Sequence, residues 1–293
     1  QNRPAALKLR AAPSFLRCGS FEYCYAHGDQ NSLKALLTVA TAQHIQPNGQ
    51  PATYSTWLKT QIEASAHAVA QWQAQGFAHA TLNSDNHGLD GLALDVGNGQ
   101  FIDRFSPKKR LTSDDERCRY SLIHQPRASY FNCQILARCL ASLIGTESAV
   151  VALASFWPSF SRSFYQLMSQ KLGLGVALDG DTQLIDTFLI LLERYQLNYP
   201  TTFLSLTHSD AKQGTLHESL GIPRSEPWVD QYCLRISKSE LPPDQRVASM
   251  LKVNPSFTLS TEAIDTVFED LSAGSASSLA QLCEHLSAPF STP

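Results

Sequence analysis

The spacing of hydrophobic residues predicts a chain built mainly of helices. Between residues 53 and 75 one face recurs at steps of four, three, four and three, at Leu58, Ile62, Ser65, Val69 and Trp72. This is the period of a helix with one buried side. Gly76 follows, and glycine commonly ends helices. We therefore expect one long amphipathic helix that stops before Gly76.

Further helical patterns cover residues 129–143, 156–172, 183–195 and 261–271, and in the second of these we expect Trp157 to be a core residue. Residues 77–103 differ, because short apolar stretches alternate with Asn, Asp and Gly there, as in FAHATL, LDGLALDV and QFIDRF. Such stretches are typical of small strands or a hairpin with tight turns. The pattern predicts an α+β fold that is predominantly helical, with a small β insertion.

Composition narrows the class of protein. The 293 residues are 43% hydrophobic and carry a net charge of −3, which favours a soluble globule without the basic face that nucleic acid or anionic lipid requires. No apolar run is long enough to span a membrane. Seven cysteines without a C-x-x-C pair favour a reduced, cytoplasmic compartment. Because the first residue is Gln, we expect a fragment of a longer protein.

The candidate chemistry lies in residues 79–99, HATLNSDNHGLDGLALDVGNG, which concentrate Asp, Asn and Gly. Tight turns use these residue types, so two turns alone could explain the stretch. A magnesium site is the alternative, because a hard cation takes carboxylate and amide oxygens and completes its shell with water and phosphates. In that case a hairpin would bring Asn86 and Asp95 to one point.

The order of residues in this loop is similar to that in kinase-like enzymes. There a His opens the catalytic loop, an Asn binds one metal, and an Asp followed closely by Gly binds the other. His79, Asn86 and Asp95 occur in this order. Two residues after the His, where protein kinases carry their base, this chain has Thr81, and the available carboxylate is Asp85, directly before Asn86.

This displaced order, together with motifs along the chain, resembles the selenoprotein O (SelO, or YdiU) family of kinase-fold protein adenylyltransferases. The stretch from Trp72 to Asn86 resembles the family's W…GFxHGxxNTDN signature, and residues 9–22, LRAAPSFLRCGSFE, resemble its VRVAxSxxRxGxFE segment. Further matching landmarks are Asp103-Arg104-Phe105, Arg119-Tyr120, Gln125-Pro126, Lys171-Leu172-Gly173-Leu174 and Asn254-Pro255.

The resemblance implies a function and a set of site residues. AMP would be transferred from ATP to Ser, Thr or Tyr hydroxyls of protein substrates, with magnesium, or manganese, as the metal. Asp85 matches the catalytic proton acceptor, and Asn86 and Asp95 match the metal ligands, with Asp95 also among the residues expected to bind the nucleotide. Arg10 and Arg17 match arginines that contact its phosphates. Guanidinium groups and magnesium suit this chemistry, because phosphoryl oxygens need charge neutralisation.

The chain also departs from the family pattern. Asp95-Val96-Gly97-Asn98 replaces DYGP, and Ala80 follows His79 where Gly is usual. The family's glycine-bearing segment and its ion-paired Lys and Glu should precede Arg10. We therefore expect residues 1–20 to be the end of an N-terminal lobe, and residues 21–293 to form a helical, protein-kinase-like C-terminal lobe whose small β-hairpin insertion carries the catalytic loop.

Two other functions stay open at this point. A kinase-like lobe without its nucleotide-clamping half could be a non-catalytic binding or regulatory module, a truncated pseudoenzyme that is inactive in isolation. A protein kinase that transfers phosphate is the other. The sequence leaves the protein targets and the oligomeric state undetermined.

Overall fold

A computed structural model describes residues 9–42, 52–209 and 213–290, so that residues 1–8 of the predicted N-terminal segment lie outside it. Within the described residues the fold is helical with one small sheet. The helices are α1 (Cys18–Ala26), α2 (Gln30–Ala42), α3 (Tyr54–Gln75), α4 (Gln125–Ile144), α5 (Thr146–Ala154), α6 (Phe156–Lys171), α7 (Asp181–Arg194), α8 (Tyr199–His208), α9 (Gln213–Leu220), α10 (Pro227–Ser237), α11 (Pro243–Leu251), α12 (Thr261–Ser272) and α13 (Ser277–Ser287).

The sheet has two strands, β1 (Phe77–Ala78) and β2 (Gln100–Phe101), which pair antiparallel with Phe77 opposite Phe101. The chain between these strands contains the polar loop of residues 79–99. The predicted combination of a mainly helical chain with a small β insertion is therefore confirmed.

The predicted helices are also confirmed, within a few residues at their ends, as α3, α4, α6, α7 and α12. Glycine ends α3 for a steric reason. Gly76 has a φ of 69°, and a Cβ there would lie 2.8 Å from Cδ1 of Tyr199. The expectation that Trp157 is a core residue is wrong, because its side chain is 39% exposed on α6 and packs edge-on against Phe160.

The chain divides into two compact units. The first unit consists of the described residues of 1–65, 83–95 and 129–156, and the second of those of 66–82, 96–128 and 157–293. The core of the first unit contains large buried side chains from α1, α2, α3 and the start of α6. They are Phe21, Leu33, Leu37, Trp57, Leu58 and Phe156. All five predicted site residues, Arg10, Arg17, Asp85, Asn86 and Asp95, belong to this unit.

The second unit has an aromatic core whose polar atoms are paired. Its largest buried rings are Phe188, Tyr199, Phe203, Trp228 and Tyr232. The indole N–H of Trp228 donates to the Leu184 carbonyl, and the Tyr232 hydroxyl to the Leu172 carbonyl, both at 2.9 Å. Rings of this kind bury much apolar area while their polar ends stay satisfied. In the part of the chain that the structure describes, no helix combines the length and hydrophobicity needed to cross a bilayer.

Candidate active site

Backbone hydrogen bonds join the start of α1 to the polar loop. The amide of Cys18 donates to the His87 carbonyl at 3.0 Å, and the amide of Gly19 donates to the Ser84 carbonyl at 2.7 Å. First-turn amides of a helix have no partner within the helix, and here the loop carbonyls satisfy two of them. The N-terminal end of α1 is thereby fixed against the residues that flank Asp85.

Gly19 allows the two backbones to approach closely. A Cβ at this position would lie 3.2 Å from both Cα and N of Asp85, which is tighter than an ordinary van der Waals contact. A side chain here would push the loop away from the helix. The glycine therefore helps to determine where the Asp85 backbone lies.

The loop continues as a short hairpin in which the backbone of Asn86 and His87 pairs with that of Ala93 and Leu94. The amide of Leu94 donates to the Asn86 carbonyl at 3.1 Å, and His87 forms an antiparallel bridge with Ala93. The hairpin backbone therefore places Asn86 opposite Leu94, one residue before Asp95.

Both predicted arginines hold this loop through carbonyl groups. Nη1 of Arg10 donates to the Ala93 carbonyl at 2.9 Å, and Nη1 of Arg17 donates to the Asp85 carbonyl at 3.0 Å. Arg10 is half-buried and Arg17 is exposed. A guanidinium has five N–H donors, so one bond to a carbonyl still leaves donors for another acceptor.

Asn86 and Asp95 carry one carboxamide and one carboxylate, groups that a magnesium ion accepts beside phosphates and water. Nδ2 of Asn86 donates to Oδ1 of Asn83 at 2.9 Å, a bond that uses the amide nitrogen and not the oxygen that a metal would bind. Asp95 is exposed. Among the described residues no group of three or more His, Cys, Asp or Glu side chains could hold a metal by itself. Magnesium commonly takes only one or two protein carboxylates beside phosphates and water.

A cleft of about 630 Å³ opens beside Asp85 in the first unit. Its lining combines the guanidinium of Arg17 and the carboxylate of Asp85 with one face of α1, and consists of Arg17, Gly19, Ser20, Glu22, Tyr23, Ala26, His27, Ser84 and Asp85. Two of the five predicted site residues therefore face one open space. At this cleft Oγ of Ser84 donates to Oε2 of Glu22 at 2.5 Å.

Side chains that the sequence alone does not identify hold this loop in place. Gln61 of α3, which is 1% exposed, makes two hydrogen bonds of 2.7 Å with Asp90, one to its amide and one to its carboxylate. His87 contacts Sγ of Cys18 through Nδ1 at 3.3 Å and Oγ of Ser129 through Nε2 at 3.0 Å. Burial raises the pKa of the Cys18 thiol well above its usual range, so the sulfur stays protonated there.

In the second unit, a glutamine fixes the backbone around His79. Oε1 of Gln125 accepts from the His79 amide at 2.7 Å, and its Nε2 donates to the Phe77 carbonyl at 3.1 Å. The His79 side chain is fully buried, with its ring centroid 5.8 Å from that of Trp72. The next residue, Ala80, has a φ of 68°, in the left-handed region that glycine adopts most easily.

Comparison with known proteins decides the family. A family model described as "Protein adenylyltransferase SelO" matches residues 1–287 of the chain. The chain belongs to the SelO family. The resemblance predicted from the sequence motifs is therefore confirmed.

Relatives within this family carry the name "Protein nucleotidyltransferase YdiU". The Myxococcus xanthus protein is 30% identical over 97% of this chain and 60% of its own length. The Klebsiella pneumoniae protein is 30% identical over 98% and 61%, and the Methylococcus capsulatus protein is 31% identical over 98% and 59%. The chain thus spans about 60% of the length of the relatives that it matches.

Proposed function

We propose that this chain carries the active site of a protein adenylyltransferase, which moves AMP from ATP to Ser, Thr or Tyr hydroxyls of proteins. The proposal rests on one observation. Arg17 and Asp85 line one cleft, beside a hairpin in which Asn86 pairs with Leu94, the residue before Asp95. Membership of the SelO family and the names of its relatives support it. With it we propose that residues 21–293 form a kinase-like C-terminal lobe and that residues 1–20 end an N-terminal lobe.

Asp85 is the proposed proton acceptor. Its exposed carboxylate lines the cleft, where the hydroxyl of an acceptor side chain can reach it. As the proton passes to Asp85, the hydroxyl oxygen forms a bond to the α-phosphorus of ATP. The bond from that phosphorus to the bridging oxygen breaks, and pyrophosphate leaves with the electron pair. General base catalysis of this kind accelerates a reaction by about 10²–10⁴-fold.

Arg10 and Arg17 are the proposed phosphate ligands. Each arginine donates one N–H to a loop carbonyl, and this hydrogen bond orients the guanidinium before a nucleotide binds. The remaining donors can pair with phosphate oxygens, often two at a time. Neutralising negative charge in the transition state is the main contribution that a protein makes to such reactions.

Asn86 and Asp95 are the proposed metal ligands, with magnesium or manganese as the ion. When bound, the ion would neutralise charge on the phosphate oxygens and orient them. The chain would supply two ligands to this ion, the amide oxygen of Asn86 and the carboxylate of Asp95, from neighbouring positions of the hairpin. That hairpin is held by Gln61 and by the His87 contacts.

The test is intact-mass analysis of casein after incubation with the purified chain, ATP and magnesium. We expect casein to gain the mass of an adenylyl group. Asp85→Asn should lower the rate of transfer at least about 100-fold, while calorimetry still detects binding of magnesium-ATP. Asp265→Asn, which changes an exposed carboxylate on α12, is the control and should change neither the rate nor the binding. A gain of a phosphoryl mass would make the protein a kinase, and nucleotide binding without transfer would make it a binding module.

A further inference from the structure

An aromatic pair at the C-terminal end of α1 lines the same cleft as Asp85. Tyr23 lies in the last turn of α1, and His27 is the residue that directly follows this helix. Because the His27 amide donates to the Tyr23 carbonyl, the two residues share one face. Their ring centroids lie 4.2 Å apart with an interplanar angle of 33°. The Tyr23 side chain is 66% exposed, so one face of the pair is open to a ligand.

The His27 ring is fixed in orientation and in tautomer. Its Nδ1 lies 2.8 Å from the backbone oxygen of Tyr23. A carbonyl oxygen can only accept a hydrogen bond, so Nδ1 carries the proton. In the neutral ring Nε2 is then an acceptor. The pair is thus a preorganised surface with a flat aromatic area and a hydrogen-bond acceptor at its edge.

The position of this pair relative to Asp85 is fixed by backbone contacts. Tyr23 lies on α1 and His27 directly follows it, and the first turn of this helix is bound to the loop through Gly19 and Ser84. The cleft lining includes both rings, Arg17 and Asp85. A group that lies on the rings therefore occupies the same cleft as the carboxylate that would take the acceptor proton.

We propose that Tyr23 and His27 form the acceptor subsite and give it a preference for tyrosine over serine or threonine. The inference rests on the proposed function, in which the acceptor hydroxyl must come within hydrogen-bonding reach of Asp85. A tyrosine ring can stack on this surface while its hydroxyl extends to Asp85, whereas serine has no ring to place there. Aromatic pairs contribute enough to change a rate about 3- to 10-fold.

The test uses two peptides that are identical except for a single Tyr or Ser acceptor, and compares kcat/KM for adenylyl transfer. We expect the wild-type chain to favour the Tyr peptide about 3- to 10-fold and Tyr23→Ala to remove most of this preference. Tyr23→Phe should keep most of it, because the ring and not the hydroxyl stacks. Phe268→Ala, which removes a 65% exposed aromatic side chain on α12, is the matched control and should leave the preference unchanged.

Other results would overturn the inference. A Tyr23→Ala chain that still prefers tyrosine would place the selection elsewhere. A Tyr23→Ala chain whose KM for ATP rises, with both peptides slowed equally, would show that the rings hold the nucleotide instead. If neither peptide is modified, the proposed function fails. Fluorescence anisotropy then tests the acceptor subsite separately, by measuring how tightly each peptide binds. Tighter binding of the Tyr peptide than of the Ser peptide, with the difference lost in Tyr23→Ala, supports the subsite. Equal binding of the two peptides contradicts it.

Discussion

At the residue scale, Ala80 occupies a backbone conformation that suits glycine better. Its φ is 68° and its side chain is 1% exposed, directly after the buried His79. Left-handed conformations cost non-glycine residues about 1–3 kcal/mol. The sequence shows that Ala80 replaces the glycine of the usual His-Gly pair. Only the backbone geometry shows that this replacement strains the chain at Ala80.

Ala80→Gly should therefore stabilise the chain, by about 1 kcal/mol after the extra entropy of glycine in the unfolded state is subtracted. Urea denaturation measures the change. Ala78→Gly is the matched control, because Ala78 is fully buried in β1 without a positive φ and should lose stability. A destabilised Ala80→Gly chain would show that the methyl group of Ala80 contributes more than the strain costs.

At the element scale, the hairpin of residues 86–94 depends on a contact from a distant helix. Gln61 is 29 residues from Asp90, and its two hydrogen bonds hold a turn in which Asp90 has a φ of 58°. Within the hairpin, the amide of Gly88 donates to the Leu92 carbonyl at 2.9 Å. We infer that the buried glutamine, more than the turn sequence, keeps the loop in a single conformation.

Gln61→Leu removes both hydrogen bonds while it keeps an apolar contact surface for the helix. We expect a loss of about 1–3 kcal/mol of stability and faster hydrogen exchange at the amides of Gly88 and Leu94. Gln71→Leu, on an exposed position of the same helix, should leave this exchange unchanged. Unaltered protection in Gln61→Leu would mean that the turn holds itself.

The elements also show which parts of the fold a sequence reveals. The amphipathic period identifies α3 and α6 because these helices are long, with 22 and 16 residues. The helices α8, α10 and α11 have 10, 11 and 9 residues and a proline in the first turn. Proline starts helices but also marks loops, so these short segments give no clear signal. Contacts such as that of Gln61 with Asp90 are formed only by the tertiary fold and leave no local pattern.

At the scale of the whole molecule, the second unit buries a lysine without a carboxylate partner among its described contacts. Nζ of Lys171 donates to Oε1 of Gln75 at 3.0 Å and lies 4.3 Å from the ring centroid of Phe203. Burial lowers the pKa of this lysine from its ordinary 10.5 to about 7. Between these two pH values the unfolded chain binds a proton that the folded chain does not.

Lys171 should therefore make stability rise with pH between about 7 and about 9, by at most about 1.4 kcal/mol per pH unit. Above that range the buried thiols of Cys18, Cys133 and Cys139, whose pKa values are raised by burial, act in the opposite direction. Below that range the lysine is charged in both states, and its burial cost is constant. Lys171→Met should remove this slope, whereas Lys252→Met, at an exposed position, should keep it. Urea denaturation at several pH values measures the three slopes, and equal slopes in all three chains would contradict the assignment.

For the whole molecule, we propose that Asn86 and Asp95 bind one divalent ion together with ATP. The most direct measurement is NMR of the whole chain with manganese-ATP, in which the paramagnetic ion broadens nearby signals. We predict that the Asn86 side-chain amide and the Asp95 backbone amide broaden together, and that Asp95→Ala abolishes the broadening at Asn86 while Asp265→Ala does not. Broadening of only one of the two signals, or broadening at Asn86 that survives Asp95→Ala, would contradict the claim.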